Sequence, residues 1–165
     1  GLELHPEKTQ IIYCKDDLRK GRHIVEKFDF LGYEFRPRKS KNRNGKVFTN
    51  FSPAVSTQAA KAMRATVRSW RLRNCSDRSI QQLSRQYNPV IRGWFQYYGQ
   101  FYRTALYSVV RQLDQELVHW ARQKYKKLRG HVRRARHWLA AVSRRSQELF
   151  AHWARPCSGS LMGAV

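Results

Sequence analysis

Acidic side chains are scarce: 11 Asp and Glu stand against 33 Lys and Arg, a net charge of +22. That excess goes well beyond what solubility needs and repels itself in a compact fold, so a polyanionic partner is expected. Cysteine is also sparse. Cys14, Cys75 and Cys157 are odd in number and widely separated, which excludes a fully paired disulfide framework and the paired spacing of a zinc knuckle; they read as free thiols. No apolar run reaches the roughly 18 residues of a membrane span, and no charged-then-apolar targeting segment opens the chain. A soluble, intracellular protein with no membrane partner is expected. "GLELHPEKT" begins at Gly1 rather than Met and is expected to continue a longer polypeptide.

The residues that catalysis requires are equally thin. Two-metal polymerase chemistry needs at least two carboxylates around a cation pair. "YCKDD", residues 13–17, has one residue more than a Tyr-x-Asp-Asp block and leads into a charged loop. A strand of period two is sensitive to that extra residue, so Asp16 and Asp17 read as solvated loop positions. No other carboxylate cluster is visible. The six histidines lack H-x-x-x-H or Cys-paired spacing, and no Gly-rich phosphate cradle occurs. No catalytic residue, metal ligand or cofactor is assigned to this chain.

The expected fold class is α+β, mainly α: a small N-terminal β-hairpin region followed by a basic helical bundle. "TQIIYC", residues 9–14, and "FDFLGYEFR", residues 28–36, are short, rich in β-branched and aromatic residues, and bounded by turn formers, so each reads as one strand. In the second, Phe28 and Phe30 would face one way and Leu31, Tyr33 and Phe35 the other. The basic stretch after it can close a hairpin, with Val47–Phe51 as a further strand.

From Ser52 the period becomes helical. Ser56 can cap a helix over about residues 57–73, with Ala59, Met63, Thr66, Val67 and Trp70 inward and Lys61, Arg64, Arg68 and Arg71 on the other side. A second helix starts near Ser76 or Ser79 and kinks or restarts at Asn88-Pro89. In "NPVIRGWFQYYGQFY", residues 88–102, Ile91, Trp94, Phe95, Tyr98, Phe101 and Tyr102 recur at helical spacing. Trp94, Phe95, Tyr98 and Phe101 are therefore expected chiefly in the core, leaving Arg92, Tyr97 and Arg103 at the surface. A third helix covers residues 104–128 with Leu106, Val110, Leu113, Leu117 and Trp120 inward, stopped by Gly130. A fourth, over residues 131–145, buries Val132, Ala135, Trp138, Leu139 and Val142. Leu149, Phe150 and Trp153 continue the apolar set, and "RPCSGSLMGAV" reads as a disordered tail.

The charge is uneven: +5 over residues 1–50 and +17 over residues 51–165. Cations arrayed along stiff helices are what phosphate binding requires. Besides Lys61, Arg64, Arg68, Arg71, Arg92, Tyr97 and Arg103, the candidates for nucleic-acid contact are Arg122, Lys126, Lys127, Arg129, Arg133, Arg134 and Arg136.

"GLELHPEKTQIIYC", "FDFLGYEFRPR", "NPVIRGWFQYYGQFY" and "WARQKYKKLRG", in this order, resemble the C-terminal half of bacterial group II intron reverse transcriptase/maturases over residues 1–153. The resemblance implies four regions: the end of the palm with a primer-side hairpin at 1–51, the thumb or maturase (X) domain at 52–130, the start of a basic DNA-binding region at 131–155, and a tail at 156–165. The hairpin residues would be Phe30, Leu31, Gly32, Tyr33, Arg36 and Arg38. It further implies group II intron RNA, an RNA/DNA template-primer and a DNA target as partners, together with upstream fingers and palm of the same polypeptide. The catalytic Tyr-x-Asp-Asp block and its Mg2+ would belong to that parent polymerase, leaving this chain inactive alone, and the setting would be the bacterial cytoplasm. A generic basic helical nucleic-acid-binding protein, of ribosomal or nucleoid type, is the alternative.

Overall fold

The computed structural model describes residues 5, 9–19 and 21–154. The chain divides into two compact units, Gly1–Ser56 and Thr57–Val165. The first unit is a three-stranded antiparallel sheet in the order β1 (Phe28–Phe30), β2 (Tyr33–Lys41), β3 (Val47–Val55). The second holds α1 (Thr57–Ser69), α2 (Ile80–Tyr98), α3 (Tyr107–Lys124), α4 (Val132–Arg145) and the short α5 (Ala151–Ala154), with 3-10 turns at Leu72–Asn74, Arg103–Leu106 and Lys126–Leu128. The mainly helical α+β class expected from the sequence is the one observed.

Within the sheet two expectations change. Residues 28–36 are not one strand but two, because Leu31 and Gly32 take positive φ values of 48° and 79°. Positive φ at both central positions is the requirement of a type I′ hairpin turn, whose twist matches that of the flanking strands. The turn reverses the facing of everything after it. Phe28 pairs with Phe35 and Phe30 with Tyr33, so all four share one face, and the Phe28 and Phe35 rings stack at 4.6 Å. The second correction concerns residues 9–14, which form no strand. Tyr13 donates its N–H to the Val25 carbonyl at 3.0 Å, but no ladder follows, and a strand exists only through a repeating row of such bonds. Between β2 and β3 the chain turns through Gly45, at φ 80°, with the Asn42 side chain accepting from Lys46 N–H at 2.8 Å.

In the helical unit α3 is the element around which the others gather: α1, α4 and the 3-10 turns at Leu72–Asn74, Arg103–Leu106 and Lys126–Leu128 all pack on it. Val109, Val110, Leu113, Leu117, Val118, Trp120 and Ala121 are buried along it, which includes the expected Val110, Leu113, Leu117 and Trp120; the helix spans 107–124 rather than the expected 104–128, so Leu106 is buried in the turn before it. Trp120 closes the lower end by donating Nε1–H to the Cys75 carbonyl at 2.9 Å. Its neighbour Lys124 donates to the Ser76 carbonyl at 2.9 Å.

α1 ends earlier than its pattern suggested, at Ser69 rather than near Arg73, because Arg71 adopts a left-handed conformation with φ 47°. Its packed stripe is Ala60, Met63 and Val67, while Thr66 is exposed and Ala59 half-buried, so the buried face is rotated toward Arg64. Trp70 lies beyond the helix and stacks on Tyr87 at 4.4 Å and on Trp94 at 5.9 Å.

α2 begins where a capping box stands: the Ser79 side chain accepts from Gln82 N–H, and the Gln82 side chain accepts from Ser79 N–H. It then runs through Pro89 without restarting. A proline inside a helix costs about 3 kcal/mol, and Asn88 explains how that cost is offset. Rather than capping, Asn88 is buried and donates its amide to Ser84 Oγ at 2.9 Å and to the Leu149 carbonyl at 2.7 Å. Its Oδ1 accepts from Ala151 N–H at 3.1 Å. These bonds seat α5 against α2. The stripe Ile80, Leu83, Tyr87, Ile91 and Phe95 is buried, but the phase ends at Tyr98. Gly99 follows so tightly that a Cβ there would meet the Phe95 carbonyl oxygen at 2.4 Å. Phe101 and Tyr102 therefore escape the stripe and are 61% and 37% exposed, against the expectation of a core position for Phe101.

A polar pin sits inside this unit. Asp114, buried on α3, accepts from Trp153 Nε1 at 3.2 Å and faces His152 Nε2 at 3.1 Å, which places the imidazole proton on Nε2. Val132 is exposed at the start of α4, contrary to its expected inward position, whereas Ala135 and Leu139 are buried. Cys14 and Cys75 are free thiols; Cys157 and the tail lie outside the described residues. Replacing Asp114 by Ala leaves two buried N–H donors without an acceptor and is expected to destabilise the helical unit by at least about 2 kcal/mol. Asp114→Asn keeps Oδ1 and should lose less. Denaturant unfolding followed by tryptophan fluorescence measures both, and equal losses would refute the role given to Oδ1.

Candidate nucleic-acid interface

The apolar stripes decide which cations reach solvent. On α1, Lys61 and Arg68 are seven residues apart, lie on one face and are exposed. Arg64 borders the rotated packed stripe, is half-buried, and donates Nη1–H to Ser108 Oγ at 2.8 Å, tying α1 to α3. Arg71 is exposed, but in the left-handed turn after the helix rather than on the helix face. Of the four cations expected in one row, two stay in it, one is partly recruited to packing and one leaves the helix.

On α2, Arg92 is exposed and Tyr97 is 46% exposed. Tyr97 packs edge-on against Tyr98 at 4.7 Å; burial, then the neighbouring Tyr97, raises the Tyr98 phenol above its ordinary pKa, so it stays a neutral hydroxyl. Arg103 is exposed at the start of a 3-10 turn. Arg85, exposed seven residues before Arg92, shares its face and was missed; the seven-residue spacing is the signal that could have found it.

The densest cationic region surrounds the junction of α3 and α4. Lys126, Lys127, Arg129, Arg133, Arg134 and Arg136 are all exposed. Gly130, with φ 79°, turns the chain between the helices, and Arg134 Nη1 donates to the Lys127 carbonyl at 3.4 Å. On α4 the buried Ala135, Leu139 and Ser143 lie opposite Arg133, His137 and Arg144. Arg122 is different: it is half-buried on α3 and its Nε is enclosed with no hydrogen-bond partner. Sequence reasoning also missed Tyr125, His137 and Trp138 as a group with Lys127, Leu128 and Arg134, because Tyr125 and Trp138 are thirteen residues apart and meet only through the fold.

In the first unit the hairpin residues separate into two faces. Phe30 and Tyr33 lie on the aromatic side with Phe28 and Phe35, and Leu31 and Gly32 form the turn. Arg36 and Arg38 lie on the opposite side, both on Glu34: Arg36 Nε at 2.9 Å and Arg38 Nη2 at 3.0 Å from Oε2. Arg38 also donates to the Ser52 carbonyl at 3.3 Å and the Glu34 carbonyl at 3.2 Å, and its side chain is only 8% exposed. It is a structural cation of the sheet, whereas Arg36, 51% exposed, remains able to meet an anion.

Asp16 and Asp17 act as loop acceptors. Asp16 Oδ1 takes the Leu18 and Arg19 N–H groups at 2.9 and 2.8 Å, and Asp17 Oδ1 takes Thr49 N–H at 2.9 Å. Among the described residues no group of three His, Cys, Asp or Glu could hold a metal ion. No helix among them is long and apolar enough to cross a membrane.

Taken together, these features define the helical unit as a bundle with buried apolar stripes and exposed cations on several of its elements. Comparison with known families adds one match. Residues 60–138, just under half of the chain, match the group II intron, maturase-specific domain, a span running from α1 into α4, and this match supports a group II intron maturase C-terminal region. No curated protein and no solved structure matched the chain. The matched domain supports a maturase function in group II intron splicing and implies group II intron RNA as a partner.

The two hairpin arginines are expected to respond differently to replacement. Arg38→Met strips several hydrogen bonds from an enclosed site and should cost about 1.5–3 kcal/mol, since bonds to charged groups lie in that range. Arg36→Met removes an exposed pair worth less than about 1 kcal/mol. Amide hydrogen exchange across β2 and β3 reads the difference; equal acceleration in both variants would contradict it.

Proposed function

We propose that the helical unit is the thumb-like maturase module of an intron-encoded reverse transcriptase and stabilises the active fold of its intron by binding phosphates at several points at once. Arg and Lys on rigid helices neutralise phosphates and release counterions. A partner that binds one RNA conformation better than its competitors shifts the population toward it with no protein-borne chemistry. The observation that carries this reading is the exposure of Lys61, Arg68, Arg92, Arg133, Arg134 and Arg136 on helices whose apolar stripes are buried, within the stretch matched to the maturase domain.

In the parent protein the same module would grip the template-primer duplex, with the Phe28–Arg38 hairpin beside the primer and α4 near a DNA target. The carboxylates that hold Mg2+ would come from upstream fingers and palm, in the bacterial cytoplasm. The chain by itself then binds without polymerising.

Replacing Lys61, Arg68, Arg133 and Arg136 together by Gln should weaken binding of the intron RNA. The slope of log affinity against log salt should flatten by up to about 0.7–0.9 for each phosphate that is no longer neutralised. An unchanged slope would falsify the assignment. Equal binding of unrelated structured RNA at matched salt would instead point to a generic basic helical protein of ribosomal or nucleoid type. Primer extension should be absent for this chain and appear only when the upstream half is supplied.

A further inference from the structure

We propose that the groove where the 126–128 turn meets α4 receives one unpaired nucleobase of the bound RNA, an inference that rests on the RNA-binding reading above. Tyr125, Lys127, Leu128, Arg134, His137 and Trp138 line an open pocket of about 670 Å³. The Tyr125 and Trp138 rings lie 5.0 Å apart, inclined at 54°, and Trp120 supports Tyr125 edge-on from beneath at 6.0 Å. Leu128 is buried, at 4% exposure, while Tyr125 is 36% exposed.

The pocket therefore offers ring and hydrocarbon surface to its occupant, while Lys127 and Arg134 stand exposed around it. The bond from Arg134 to the Lys127 carbonyl holds that guanidinium at the pocket rather than leaving it to sweep through solvent.

This combination matches a planar heteroaromatic ring joined to a phosphate. A base within a duplex has both faces covered by its neighbours, so only a nucleotide from a loop, bulge or end can enter. Every base has a π-face, so stacking here gives affinity with little preference among the four bases. The role differs from that of the surrounding cations: they set how strongly the RNA is held, and the pocket sets which part of it, an unpaired nucleotide, lies at the α3–α4 junction.

The test compares two oligoribonucleotides of equal length and charge on the intact chain: one carrying a single 2-aminopurine in an otherwise abasic strand, the other wholly abasic. The expected results are quenched 2-aminopurine fluorescence and a base-containing strand bound roughly 5- to 150-fold more tightly, the range that stacking one base supplies. Tyr125→Ala should erase that advantage without changing the salt slope, and Tyr125→Phe should keep it. Should Tyr125→Ala unfold, the two-strand comparison on the unaltered chain decides the matter alone. Equal affinity for the two strands, with salt-dependent binding retained, overturns the pocket and leaves the phosphate-binding reading standing. Loss of salt-dependent binding for both strands removes the two together. Burial of Trp138 with rising protein concentration in the absence of RNA assigns the groove to a second copy of the chain and also overturns the proposal.

Discussion

The enclosure of α3 is the constraint on which the helical unit depends. A helix buried along Val110, Leu113, Leu117 and Trp120 and wrapped by α1, α4 and the connecting 3-10 turns has little surface left for solvated cations. The positive charge is pushed outward onto the surrounding elements. Self-repulsion among so many cations opposes compaction, and burial of this stripe, worth about 25 cal/mol per Å² of apolar surface, is the term that can oppose it. The buried carboxylate of Asp114 serves the indole and imidazole donors of the C-terminal segment instead of neutralising the surface.

The same division governs individual arginines. Arg64 and Arg38 look like surface cations in the sequence, yet each is bound to protein oxygen: Arg64 to Ser108 across two helices, Arg38 to Glu34 and Ser52 within the sheet. A guanidinium carries five donors in a planar fork, so one side chain can hold a packing interface together and still carry charge. The cations left to an anionic partner are those that stay exposed on the helix surfaces: Lys61, Arg68, Arg92 and the set along α4, where Arg134 is bonded to the Lys127 carbonyl and is still exposed. The aromatic residues divide in the same way. Ile91 and Phe95 serve the core, while Tyr125 and Trp138 keep ring surface open at a cationic junction.

Much of the architecture was legible in the residues because local physics dictated it. A helix start near Ser79, one of the two serines expected, and the α3 stripe follow from hydrogen-bonding and helical periodicity that act over a few residues, whereas α3, expected to run to residue 128 and stop at Gly130, ends at Lys124. The misreadings share a cause. Pro89 sits inside a helix because Asn88 finds partners about sixty residues away at Leu149 and Ala151. Phe101 is exposed because Gly99 ends the helix phase two residues earlier, and residues 9–14 remain irregular because a strand needs a neighbour.

By itself the sequence determined the composition of the interaction: a large positive charge, helices to carry it, scarce carboxylates, and the apolar periods that say which side of each helix turns inward. Only the tertiary structure decided which cations remain at the surface, that Tyr125 and Trp138 meet across thirteen residues beside Lys127 and Arg134, and that the 28–36 segment folds back on itself. The physical reason is range. Propensity, capping and periodicity are settled within a turn or two of chain, whereas the availability of a charge or a ring face depends on which distant acceptor or packing surface the fold brings to it.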